Sequence, residues 1–225
     1  MVPVVYWFRT HPCEGCRKGS NPFGYPNMKS AKNIWSAKNL IKILKENGVV
    51  VMPTDTLYGI VGRAENKKTV EQIYKLRQRN SQKPCVILIS DWSEAKKFGI
   101  VLTLAQKNKI KKYKSASAES SGGTRPTSYI LDCPDAEFKY LHRDTKTLAF
   151  RVPNISELKN LLRETGPLIA PSANLEARPP SKTISEAKKY FGSTVDLYVD
   201  GGIIEGKASK IIKLHKNGST SVIRE

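Results

Sequence analysis

The stretch SAKNIWSAKNLIKILKENGVVVMP, residues 30–53, contains the change of period that decides the fold. Ile34, Ala37, Leu40, Ile41 and Leu44 recur at the spacing of one helix face, and Gly48 after Asn47 is a stop signal. The pattern therefore predicts an amphipathic helix over 31–47. GVVVMP then reads as a short buried strand, and Pro53 ends it because proline has no N–H for the ladder. The alternation continues downstream. A helix is expected from about Thr69 to Arg79 and a buried strand at CVILIS, 85–90. Next come YILDC, LAFRVP, a helix on ISELKNLLRE, a strand at LIAP, a helix on ISEAKKYFG, and LYVD, KIIKL and SVIR. Helices and strands that share one core define an α/β or α+β sheet domain with helices packed on it.

At 225 residues the chain is long enough to bury such a core as one domain. Lys and Arg number 38 against 20 Asp and Glu, a formal charge of +18, so the surface attracts polyanions such as RNA and nucleotides. A lysine-rich proteome produces the same excess, so charge supports a class of partner without choosing a function. No apolar run approaches the roughly 18 residues needed to cross a bilayer. MVPVVYWF lacks the basic start and cleavage site of a secretory signal. The expected location is the cytoplasm, with no membrane partner. Cysteines at 13, 16, 85 and 133 are too few and too uneven for a disulfide framework, and Cys85 and Cys133 lie in apolar runs as inert core residues.

Residues 1–28 are dense in Gly, Pro, Asn and Ser and keep no period. They read as an irregular extension ahead of a domain spanning 29–225, with Met28 an alternative native start. HPCEGC offers His11, Cys13 and Cys16, but a tetrahedral zinc needs a second ligand pair and none follows at suitable spacing. Whether this segment binds metal stays open.

Three short stretches carry candidate chemistry. LRQRNSQKP, 76–84, gathers Arg77, Arg79 and Lys83 at a helix end; cations there complement the helix dipole, and an arginine fork also matches phosphate oxygens. PTDTLYG, 53–59, places the hydroxyls of Thr54 and Thr56 in the turn after the first strand. APSAN, 170–174, sets Ser172 and Asn174 one residue apart, so in an extended segment both face the same way. Each alone also fits an ordinary cap or polar turn.

Taken together, VVMPTDTLYGIVG, IYKLRQRNSQKP, TLAFRVP, GPLIAPSAN, VDGG and ASKIIKL resemble the YrdC/Sua5 family, the threonylcarbamoyl-AMP synthases of tRNA modification, in order and approximate spacing. The resemblance covers about residues 31–225 and corresponds to the short YrdC-type form. It implies a twisted open mixed sheet with a basic concave face. The implied activity is that of a nucleotidyltransferase that makes threonylcarbamoyl-AMP and pyrophosphate from L-threonine, bicarbonate and ATP. Partner proteins then transfer the group to adenosine 37 of tRNA. The family pairs a Lys-x-Arg element with a Ser-x-Asn element; Arg79, Ser172 and Asn174 match, and Arg77 stands at the lysine position. That change keeps the charge but replaces a compact ammonium with a broader fork.

The resemblance implies Arg77, Arg79, Ser172 and Asn174 as the catalytic set, with Lys83 and Arg224 joining them on ATP. Thr54, Ser128, Arg151 and Ser209 are implied for threonine. Magnesium is expected to arrive with ATP, without a side-chain cage of its own. There is no GxxxxGK[ST] loop, and the histidines fall in no triad or HExxH setting, so the chemistry expected is orientation and charge neutralisation. Two other readings stay open: a non-catalytic RNA-binding protein on the same fold, and a relative that forms carbamoyl adenylate.

Overall fold

The computed structural model describes residues 4–5, 34–80, 82–119 and 125–225. Among these residues the strands are β1 (Val4–Val5), β2 (Val50–Pro53), β3 (Tyr58–Arg63), β4 (Val86–Leu88), β5 (Thr127–Asp132), β6 (Thr147–Arg151), β7 (Leu168–Ile169), β8 (Leu197–Val199), β9 (Lys210–Leu214) and β10 (Thr220–Arg224). They form one open mixed sheet in the order β1-β8-β2-β3-β7-β4-β6-β5-β9-β10. The helices are α1 (Lys38–Lys45), α2 (Lys67–Leu76), α3 (Leu104–Glu119), α4 (Lys139–His142), α5 (Ser156–Thr165) and α6 (Ile184–Phe191).

The apolar run of β2 is buried on both faces. Val50 and Met52 join Leu40 and Leu44 of α1 and Leu158, Leu161 and Leu162 of α5 in one cluster. Val49 and Val51 point the other way, into a second cluster with Val70 and Ile73 of α2 and Ile184 and Phe191 of α6. Side chains alternate across a strand, so a sheet covered on both sides has no position for a polar residue.

The helix expected over 31–47 is shorter. Ile34–Ser36 form a 3-10 turn, Ala37 is extended, and α1 begins at Lys38. The cause is Trp35: its buried indole Nε1 donates to the carbonyl of Pro53 at 3.1 Å, and a continuous helix would carry the ring away from that strand end. The second helix stops at Leu76, earlier than Arg79. Of the N-terminal stretch expected to be irregular, Val4 and Val5 pair in parallel with Tyr198 and Val199 at the sheet edge. His11, Cys13 and Cys16 lie outside the described residues.

Candidate active site

Residues 76–79 end α2 in a turn that sets the direction of both arginines. Gln78 adopts a left-handed φ of 50°. Its N–H donates to the Lys75 carbonyl, and the Arg79 N–H to that of Tyr74. This is a Schellman arrangement with glutamine where glycine is usual. On a continuing helix two residues that are two apart diverge, whereas here Arg77 turns inward. Only 3 % exposed, it donates from Nε to the Asn174 carbonyl at 3.0 Å and from Nη2 to Asn174 Oδ1 at 3.3 Å and Ser172 Oγ at 3.5 Å. Its buried Nη1 has no hydrogen-bond partner among the described residues. Burial, and then the neighbouring Arg79, pulls the guanidinium down to about 10, which leaves it charged at neutral pH.

The Ser172–Asn174 segment is fixed from its other side. Gly59 of β3 bridges to Ser172, and the Ala173 N–H donates to the Tyr58 carbonyl. A Cβ on Gly59 would stand 3.0 Å from Thr54 Cγ2 and 3.4 Å from the Pro171 carbonyl oxygen, so this glycine lets the turn at 54–57 and the segment that follows β7 approach each other. Asn174 Nδ2 donates to the carbonyls of Leu175 and Arg178, so its side chain shapes the loop that follows as well as holding Arg77.

Thr54 Oγ1 donates to the Leu57 carbonyl at 2.7 Å and lies 3.2 Å from Thr56 Oγ1. Between the two threonines, Asp55 is 1 % exposed and accepts from Arg151, at 2.9 Å from Nη2 and 3.1 Å from Nε; Arg151 Nη2 also donates to Thr56 Oγ1. Arg151 ends β6, and β7 and β4 stand between β6 and β3. The pair therefore ties the turn before β3 to the end of β6 across the two strands between them.

A third group closes the face. Ser128 and Ser209 are buried with their hydroxyls 2.9 Å apart. Arg224 donates to the Ser209 carbonyl from Nε at 3.0 Å and from Nη2 at 2.7 Å, and Arg125 donates to the Ala208 carbonyl. Burial, then Arg125 and Arg151, lowers the Arg224 pKa, so these cations feel one another. The loop between β8 and β9 lies against the threonine turn; a Cβ on Gly206 would meet the Thr56 carbonyl oxygen at 2.0 Å.

The residues singled out from sequence thus fall into adjoining groups: Arg77 with Ser172 and Asn174; Thr54, linked to Arg151 through Thr56; and Ser128 with Ser209 and Arg224. Arg79 and Lys83 differ. Arg79 donates to the carbonyls of Lys83 and Pro84 and so braces its own loop. Lys83 pairs with Glu176 at 2.9 Å. Sequence reasoning passed over Asp55, Glu176 and Gly206, although Asp55 and Glu176 sit inside or beside the motifs it quoted. An acidic residue buried within a turn beside threonines was the available signal for Asp55. A cavity of about 540 Å3 lined by Ile100, Gln106, Asp132 and Lys213 lies elsewhere and includes none of these groups.

An open α/β sheet that gathers guanidinium groups, hydroxyls and a carboxamide in adjoining positions has the donor chemistry that suits a small anionic ligand. The family model Sua5/YciO/YrdC, described as telomere recombination, matches residues 42–225, and the chain belongs to that family. It is 32 % identical over 163 residues to the threonylcarbamoyl-AMP synthase of Bacillus subtilis, covering 71 % of this chain and 44 % of that protein. It is 31 % identical over 179 residues to the threonylcarbamoyl-AMP synthase of Pseudoalteromonas translucida, covering 79 % of this chain and 92 % of that one. Among solved structures, P. abyssi Sua5 complexed with L-threonine matches with a TM-score of 0.68 at 20 % identity, covering 85 % of this chain and 54 % of that chain. The chain thus spans less than half of the Bacillus relative and nearly all of the Pseudoalteromonas one.

Proposed function

We propose that the protein is a threonylcarbamoyl-AMP synthase that joins L-threonine, bicarbonate and ATP. The observation that carries this reading is the Arg77 guanidinium, held by Ser172 and Asn174 with its buried Nη1 lacking an acceptor among the described residues. A guanidinium held charged where the two motif segments meet suits phosphate oxygens in shape and charge. The two synthases quoted above support the same activity, and the threonine complex of P. abyssi Sua5 supports threonine as the amino acid.

In this reading the threonine amine attacks the bicarbonate carbon, an N–C bond forms, and water leaves to give a carbamate. A carbamate oxygen then attacks the α-phosphorus of ATP, and the bond to pyrophosphate breaks. No enzyme nucleophile takes part, so the residues act by orientation and charge. Arg77 with Ser172 and Asn174, nearby Arg79 and Lys83, and Arg224 from beside Ser209 neutralise the phosphates. The turn at Thr54–Thr56, stiffened by Arg151 and Asp55, and the Ser128–Ser209 pair form the threonine side. Magnesium belongs to the proposal as the counter-ion of ATP. Among the described residues no cluster of three His, Cys, Asp or Glu side chains is placed to hold a metal.

The formal charge of +18 supports tRNA as the macromolecule the product serves, with transfer proteins that carry the group to adenosine 37. Among the described residues no helix is long and apolar enough to cross a membrane, and a cytoplasmic location is part of the same proposal. Incubation with ATP, magnesium, bicarbonate and threonine, followed by mass detection, should give threonylcarbamoyl-AMP and pyrophosphate, both dependent on threonine. Pyrophosphate release that ignores threonine but follows added carbamoyl phosphate would overturn the assignment.

A further inference from the structure

One carboxylate stands among the cations assigned to the phosphates. Glu176 lies two residues beyond Asn174, and its Oε2 accepts the Asn80 N–H while its Oε1 accepts Lys83 Nζ at 2.9 Å. Its charge also acts on Arg77 and Arg79. A backbone N–H and an ammonium, in the field of two guanidinium groups, suit an oxygen of a polyphosphate. The carboxylate is not needed to dock the two segments: the Glu176 N–H donates to the Arg77 carbonyl at 2.9 Å, and Arg77 itself grips Asn174 in two places. The Lys83 side chain is 61 % exposed, so its pair with Glu176 is of the solvent-screened kind that yields readily to a ligand of higher charge.

We propose that Glu176 is a built-in occupant of the polyphosphate subsite, a carboxylate that holds Lys83 and the Asn80 N–H until the phosphates of a nucleotide displace it. Glu176 therefore sets how tightly the protein binds ATP. This inference rests on the reading of Arg77, Ser172 and Asn174 as the ATP site.

The test is calorimetric titration of the whole chain and its Glu176→Gln and Glu176→Asp variants with ATP, inorganic tripolyphosphate and adenosine. Glutamine keeps the shape and an acceptor for the Asn80 N–H but removes the competing charge. Binding of ATP and of tripolyphosphate should tighten on the order of fivefold in Glu176→Gln. Adenosine affinity should stay the same, and Glu176→Asp should behave like the parent protein. Unchanged or weaker ATP binding in Glu176→Gln overturns the inference, because the carboxylate would then be a brace or a metal ligand. An equal gain for adenosine overturns it as well, since loosening of the loop and not charge would be the cause. If the parent protein itself binds neither ATP nor tripolyphosphate, the ATP site fails first and the inference falls with it.

Discussion

Asp55→Ala removes one half of an ion pair whose side chains are 1 % and 4 % exposed and which links the threonine turn to β6. Arg151 would keep a single partner from this group, Thr56 Oγ1 at 3.3 Å, while its charge stayed out of water. Breaking a buried pair by deleting one partner costs about 3–5 kcal/mol, most of it the uncompensated charge that remains. In a domain of this length each kcal/mol moves the melting temperature by about 2–4 °C, so calorimetry should show a fall of roughly 6–20 °C. The companion variant, Asp55→Leu with Arg151→Met, replaces the pair by apolar groups of similar bulk and should recover most of that loss, because the cost of burying the two charges disappears as well. In threonine-dependent pyrophosphate release both variants should show a raised KM for threonine, since the turn that presents Thr54 has lost its tie to β6. A single variant that loses less than about 1 kcal/mol, or a double variant as unstable as the single one, would refute the account of Arg151 as a buried charge balanced by Asp55.

Other expectations follow from individual contacts. Arg77→Lys leaves at least one acceptor on Asn174 or Ser172 unmet, since an ammonium cannot span the positions the fork reaches; stability should fall by about 1–3 kcal/mol in urea and ATP affinity with it, and equality with the parent in both would contradict the role of the fork. Arg79→Ala should abolish adenylate formation with little change in melting, and near-normal turnover would remove Arg79 from the site. Gln78→Gly relieves a left-handed backbone at φ 50°, a gain of about 0.5–1 kcal/mol after the extra freedom of the unfolded chain, read as a higher urea midpoint at an unchanged slope. Gly206→Ala would place a methyl 2.0 Å from the Thr56 carbonyl oxygen; the turn must shift, at about 1–3 kcal/mol, and the KM for threonine should rise with little change in that for ATP.

The fold was legible wherever local pattern and burial agreed. The all-apolar GVVVMP reads as a buried strand because it is one, and the helix stripes of α5 and α6 gave their elements directly. Legibility failed where tertiary contact overrode pattern. The periodicity of 31–47 continues across Trp35, but the indole is held at the Pro53 carbonyl and the helix starts late. The segment α3 was missed because its apolar positions make no continuous stripe: Leu104 is 74 % exposed while Ile110 is buried. Strand β3 was read only as part of a turn motif, because LYGIVG carries its information in a glycine whose purpose appears once Thr54 and Pro171 are seen on either side of it.

The candidate site shows a similar division, with a physical reason behind it. Motif spacing brought Arg77 together with Ser172 and Asn174, 95 and 97 positions apart, because family resemblance encodes a pairing that no local rule contains. It gave no sign that Arg79 would spend its donors on the carbonyls of Lys83 and Pro84, since that depends on the left-handed turn at Gln78. The count of positive charge was the least informative signal of all. Lys83 carries the same charge as any surface lysine, and what distinguishes it is the carboxylate it faces. Arg77 and Arg151 are each matched to oxygen acceptors inside the fold, so their charges are fixed in place before any ligand arrives. The solvated lysines can hasten encounter with a polyanion, and added salt screens that contribution. The buried guanidinium groups, whose geometry is set by Asn174 and Asp55, are screened far less.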